Sequence, residues 1–205
     1  MNRKSGYLKI YIGGMFSGKT TRMRADLTMM ADIGMNVLFV NHFDDTRAEE
    51  GKTHGDTCLS THSSEYGKMS DKITSIKSKT LSAVDITGFQ AVGIDESQFF
   101  DDLIEYVWKW VNDMDLVIIV AGLDGDAFMK PIGKTLFLIP IANDVIKLHA
   151  RCRKCIDDME KMGFHLDVMG IPAPFTMRTI ESKEQKIVGG AEIYAPVCRY
   201  HFFNK

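Results

Sequence analysis

Gly13-Gly14-Met15-Phe16-Ser17-Gly18-Lys19-Thr20 matches the pattern G-x-x-x-x-G-K-[ST] at every fixed position. Glycines at both ends let the backbone curl so that successive N–H groups point inward at phosphate oxygens. Lys19 is then placed to reach the β- and γ-phosphates, and the Thr20 hydroxyl to ligate magnesium. Just upstream, residues 8–12 form a short apolar, β-prone run. Downstream, residues 19–33 are mostly good helix formers, with Gly34 as a plausible stop. A strand, a glycine-rich turn and a helix whose positive end faces the turn make a site for the tail of a nucleoside triphosphate. Residues 13–20 are the candidate ATP-binding set.

Working outward, residues 37–40, 91–94 and 116–121 are further apolar runs of strand length, the last apolar enough to be buried on both faces. Leu103, Val107, Trp110 and Val111 fall at helical spacing, which predicts an amphipathic helix over residues 99–112. Residues 44–72 are polar and read as a long loop or hairpin. This alternation predicts an α/β fold with a mostly parallel sheet and helices on both faces. The pattern changes after Ala150: β-prone stretches appear at residues 176–179 and 186–188, with little helical periodicity. The expected division is a nucleotide-binding domain over residues 1–150 and a smaller domain over residues 151–205.

A phosphate loop needs a partner acid at the end of a neighbouring strand. Asp95 follows Val92-Gly93-Ile94 and fits that role, holding magnesium with Thr20. Glu96 comes next, past the strand, where a carboxylate can take a proton near the transferred phosphoryl group. The blander alternative is a pair of exposed carboxylates capping the next helix. Even if Glu96 is a base, the pair leaves open whether it activates water, as in an ATPase, or a substrate hydroxyl, as in a kinase.

Composition narrows the field. The 205 residues carry a net charge of -2, so there is no electrostatic case for a nucleic-acid or membrane binder. No apolar run approaches the roughly 20 residues of a membrane span. The basic N-terminus leads into strand-like alternation rather than a signal-peptide core, making the cytoplasm the expected compartment. Cysteines there are reduced, and so are candidates for a metal site or for the core. Cys152-Arg-Lys-Cys155 and Cys198-Arg-Tyr-His201 are two C-x-x-[CH] pairs, and four such ligands suit tetrahedral zinc in a structural role, with no open position. Their 42-residue separation makes the metal a staple at the base of a large loop. Cys58 lacks such spacing and reads as a lone thiol.

The ordered set of motifs resembles the cytosolic-type (type II) thymidine kinase family. It comprises residues 13–20, Asp45-Thr-Arg47, Ile94-Asp-Glu-Ser-Gln-Phe-Phe100, Ala121-Gly-Leu-Asp-Gly125, Lys130-Pro131, Val188-Gly-Gly-Ala191, Tyr194 and the two metal pairs. The resemblance covers most of residues 7–203. It implies a P-loop NTPase (RecA-like) fold with a small C-terminal zinc-binding lasso domain. The implied reaction transfers the γ-phosphoryl group of ATP to the 5′-hydroxyl of thymidine, and of deoxyuridine. Glu96 would be the general base, Arg47 and Lys19 would offset transition-state charge, and Asp45 would meet the 3′-hydroxyl. Met15, Phe99, Leu123, Thr176 and Tyr194 would line the thymine pocket, and the backbone of Gln185, Ile187, Val188 and Gly189 would contact the base. A homotetramer with feedback inhibition by thymidine triphosphate is also implied. The chain departs from the family's pattern at Gly14, where proline is common, at Ser97, at Ala127, and in an extra segment around residues 157–172. The competing reading is a zinc-containing P-loop ATPase or nucleotide switch without a nucleoside acceptor.

Overall fold

Four buried runs set the frame. In a computed structural model of the chain, which describes residues 6–43, 72–163, 170–182, 184–185, 187 and 189–204, β1 (Tyr7–Gly13), β2 (Val37–His42), β4 (Ala91–Ile94) and β5 (Val117–Gly122) are the inner strands of a six-stranded sheet. With β3 (Ile73–Ser78) and β6 (Asp144–Leu148) at the edges, the strand order is β3-β2-β4-β5-β1-β6, and every pairing is parallel. Apolar side chains on both faces explain why these strands read as continuous hydrophobic runs. The edge strands β3 and β6 are only partly covered. Neither stands out from the sequence, because half-exposed edges tolerate Thr, Ser, Lys and Asp.

Helices cover both faces, as expected. α1 (Lys19–Asp32) buries Met23, Arg24, Leu27 and Ala31 against Tyr11, Val37, Phe39, Ile119 and Ala121. On the other face, α2 (Leu103–Asn112) packs Leu103, Val107, Trp110 and Val111 against Leu8, Ile10, Val92, Ile118 and Val120. The predicted start of α2 shifts: residues 97–99 form a 3-10 turn, and the α-helix begins at Leu103. Trp110 is core, while Trp108 on the same helix is half-exposed. Gly34 ends α1 as expected, in the left-handed region at φ 94°.

Beyond residue 149 a third cluster forms around the metal-type residues. β7 (Ala150–Arg151) pairs with β8 (Pro172–Ala173), and β9 (Phe175–Arg178) pairs with β10 (Tyr194–Val197), both antiparallel. The expectation of little helix here is corrected, since α3 (Arg153–Lys161) and α4 (Arg199–Phe203) flank the cluster. The buried residue of α3 is Cys155 and that of α4 is His201. Both helices are therefore anchored by metal-type ligands rather than by an apolar stripe, so periodicity cannot reveal them. The β-prone stretch at 176–179 is realised as β9, whereas Ile187 lies outside any strand.

Parallel pairing puts the carboxyl ends of β1, β2, β4 and β5 along one edge of the sheet. The glycine-rich loop, His42, Asp95 and Leu123 all emerge there, in the position where open α/β sheets bind ligands.

Candidate functional site

The phosphate loop leaves β1 through Gly13 at φ 147°, where a Cβ would meet the Leu148 carbonyl oxygen at 2.2 Å. It enters α1 through Gly18 in the left-handed region at φ 81°. Only glycine suits both conditions. Between them Phe16 takes φ 63°, a strained value of the kind that collects at ligand-gripping loops. The loop is braced internally: the Ser17 hydroxyl and the Lys19 ammonium both donate to the Gly14 carbonyl, at 2.8 and 2.7 Å. The Met15 N–H donates to the Thr176 hydroxyl of β9 at 2.9 Å, tying the loop to the C-terminal strands. Gly14 makes room for that contact, because a Cβ there would lie 2.9 Å from the same hydroxyl. The departure from proline at this position thus has a visible steric consequence.

The Thr20 hydroxyl donates to Asp95 Oδ1 at 3.1 Å, joining the loop to the tip of β4. Asp95 is buried, and its carboxylate and the Thr20 hydroxyl are hard oxygen donors of the kind magnesium takes. Arg24 of α1 lies nearby. Burial lowers its pKa, and the negative charge of Asp95 opposes that shift. Sequence reasoning missed this buried cation, which sits five residues past the loop lysine and faces the sheet.

Glu96 leaves β4 at φ 50° and ψ 39°, so the chain turns off the strand at that residue. Gln98, also missed, fixes both this carboxylate and the end of β5. Its Nε2 donates to Glu96 Oε2, and its Oε1 accepts from the Leu123 N–H at 2.9 Å. Ser97 is fully buried, sharing a 2.8 Å hydrogen bond with Thr135, so this departure adds a buried polar pair. Phe99 packs its ring against His42, centroids 5.5 Å apart.

Of the expected pocket residues, the structure ties Met15 to Thr176, Leu123 to Gln98, and Tyr194 to Ile187, whose carbonyl accepts from the Tyr194 hydroxyl at 2.7 Å. Gly189 is partly buried, in the loop between β9 and β10. Gln185 uses its side chain differently from the expectation of backbone contact alone: Nε2 donates to Asp126 Oδ2 at 2.9 Å. Buried Asp126 also accepts from the Phe128 and Lys130 N–H groups, each at 2.8 Å. Asp45, Arg47, Cys58 and Val188 lie outside the described residues.

Cys152, Cys155, Cys198 and His201 converge, with all their ligand atoms within 4.8 Å of one another. The Cys155 and Cys198 sulfurs are 3.7 Å apart, and His201 Nδ1 lies 3.5, 3.3 and 3.4 Å from the three sulfurs. A tetrahedral zinc with ordinary bond lengths puts sulfurs about 3.8 Å apart and sulfur–nitrogen pairs about 3.6 Å apart. The donor set and spacing fit that ion, and 3.7 Å is far too long for a disulfide. Burial, then contact with Cys152 and Cys198, pushes the Cys155 thiol up to about 12. Burial opposes ionisation of Cys198 too, but hydrogen bonds led by the His201 backbone bring it down to about 7. The outer nitrogen of His201 meets Asp158 Oδ2 of α3 at 3.0 Å, the orientation a carboxylate imposes on a metal-binding imidazole. Asp158 lies one helical turn beyond Cys155, in the extra segment; a recognised helix would have revealed it.

A family model described as thymidine kinase matches residues 6–202. Thymidine kinase a of Arabidopsis thaliana is 34% identical over 98% of this chain and 77% of its own length. Thymidine kinase of Yaba monkey tumor virus is 33% identical, covering 100% of this chain and 98% of the viral one. The cytosolic thymidine kinase of Gallus gallus is 31% identical over 99% of this chain and 80% of its own. Among solved structures, AMPPCP-bound DnaA from Aquifex aeolicus aligns over 82% of this chain and 50% of its own, at 12% identity and a TM-score of 0.41, too distant to carry weight. With a family model spanning nearly its whole length and relatives above 30% identity, the chain belongs to the thymidine kinase family.

Proposed function

We propose that this protein transfers the γ-phosphoryl group of ATP to the 5′-hydroxyl of thymidine, and to that of deoxyuridine. The observation that carries the reading is the Thr20–Asp95 contact with Glu96 as the very next residue. With the start of α1, a metal-type carboxylate and a base candidate braced by Gln98 at one edge of the sheet, the arrangement supports phosphoryl transfer. The N–H groups of residues 13–20 and the Lys19 ammonium would hold the triphosphate. Magnesium, when bound at Thr20 and Asp95, supplies positive charge beside the phosphate oxygens.

Glu96 would accept the proton of the 5′-hydroxyl as that oxygen attacks the γ-phosphorus, and Gln98 keeps its carboxylate aimed. Lys19 and Arg47 would offset charge spreading over the transferred group. Met15, Phe99, Leu123, Thr176 and Tyr194 would enclose the thymine, Asp45 would meet the 3′-hydroxyl, and the loop after β9 would meet the base through its backbone. Residues 151–205 would act as a separate zinc-stapled unit that keeps water from competing for the phosphoryl group. A cytoplasmic homotetramer inhibited by thymidine triphosphate completes the reading; the chicken relative's cytosolic name supports the compartment. Among the described residues no helix is long and apolar enough to cross a membrane.

The test is to incubate zinc-loaded protein with ATP, magnesium and thymidine and to follow thymidine monophosphate. Formation of the monophosphate is expected. Hydrolysis of ATP without nucleoside product would instead establish the ATPase reading.

A further inference from the structure

Arg178 closes β9, two residues after Thr176, and is 8% exposed. Its guanidinium donates to the carbonyl oxygens of Ser182 at 3.3 Å, Glu184 at 2.7 Å and Gln185 at 3.3 Å, and to the Tyr194 hydroxyl at 3.3 Å. The rings of Phe128 and Tyr194 each lie 5.6 Å from its central carbon. The Tyr194 hydroxyl passes its own proton on to the Ile187 carbonyl. Four carbonyls of one loop are therefore held by a single cation and its tyrosine neighbour. A buried arginine with this many acceptors is expensive to place unless its fork is used.

We propose that Arg178 is the positioning residue that makes the loop after β9 a reader of the pyrimidine. In a trans peptide unit the C=O and N–H point in opposite directions. Drawing the Glu184 carbonyl toward Arg178 turns the N–H of the same unit, that of Gln185, to the far side. The outcome is an N–H donor facing away from the cation, which suits a base presenting carbonyl oxygens. Gln185 is further pinned by its amide bond to Asp126, so the loop is held at both its inner face and its flank. Strand period 2 puts Thr176 and Arg178 on one face of β9. The first holds the phosphate loop and the second holds the base-reading loop.

The inference rests on the thymidine kinase reading, and the experiment separates the two. Steady-state kinetics are measured for the wild type, Arg178→Gln, Arg178→Lys, Tyr194→Phe and the double variant Arg178→Gln/Tyr194→Phe, with zinc content checked for each. Absence of thymidine monophosphate from the wild type sinks the functional reading itself. With an active wild type, Arg178→Gln is expected to raise KM for thymidine roughly ten- to a hundredfold. KM for ATP should stay within about twofold, since no uniform loss of the fold is involved. Arg178→Lys, which keeps the charge but not the fork, should fall between. Tyr194→Phe should move KM for thymidine in the same direction, and the double variant should be less damaged than the two singles combined. If Arg178→Gln fails to fold, Arg178→Lys and Tyr194→Phe decide. A thymidine KM unchanged in the zinc-loaded variants, or equal rises for ATP and thymidine, overturns the proposal.

Discussion

Glu96 and Asp95 are adjacent in sequence and do different things because the backbone turns between them. Asp95 ends a buried strand and points its carboxylate at Thr20, while Glu96 sits at positive φ, held by Gln98. Glu96→Gln keeps the shape and removes the base. It is expected to retain nucleotide binding, seen by fluorescent-nucleotide titration, while kcat falls about 10²- to 10⁴-fold. Near-normal turnover would remove Glu96 from the assigned role. The two carboxylates were legible in the sequence, since a strand ending in acids after a phosphate loop is a local pattern. Gln98 was not, because its importance depends on Leu123 arriving from β5, 25 residues away.

At the level of elements, β9 ties the C-terminal strands to the phosphate loop and α3 braces the metal-type cluster. Thr176 of β9 is buried and accepts the Met15 N–H. Thr176→Val conserves volume but leaves that N–H without its acceptor. A loss of about 1–3 kcal/mol is expected in urea denaturation, with a weaker hold on ATP. In α3, Asp158 meets the outer nitrogen of His201. Asp158→Asn is expected to weaken zinc binding about 10- to 100-fold, read by competition with a chromogenic chelator. An unchanged zinc affinity would reduce the contact to a surface ion pair, consistent with the 46% exposure of the carboxylate. The central strands and α1 were legible because apolar runs and a glycine stop are local signals. β3, β6 and α3 were not: two are half-exposed edges, and one is a polar helix anchored by a cysteine.

For the whole molecule, the cluster of Cys152, Cys155, Cys198 and His201 is the core of the C-terminal part, joined by Ala150, Ala173, Met177 and Val197 and flanked by the partly buried Phe16, Phe175 and Phe202. With four metal-type ligands at the centre of so small a cluster, a bound metal is expected to contribute to holding it together. Chelating zinc from the loaded protein is expected to expose the backbone amides of α3, α4 and β10 to hydrogen exchange. The inner strands β1, β4 and β5 should stay protected. Thymidine phosphorylation should disappear with the zinc. Loss of protection throughout the sheet at the same chelator concentration would show instead that the two parts unfold as one.

The loop at residues 13–20, the acids after β4 and the two metal-type pairs were fixed by the sequence alone, because each is a short pattern whose chemistry follows from residue type and spacing. Tertiary structure decided how they meet. Parallel pairing carried the loop and Asp95 to the same edge, Thr176 reached across 161 residues to the loop, and Arg178 gathered the carbonyls of its own hairpin loop. Those contacts depend on strand register and on which face of a strand is buried. These are properties of packing between distant segments, which no local spacing encodes.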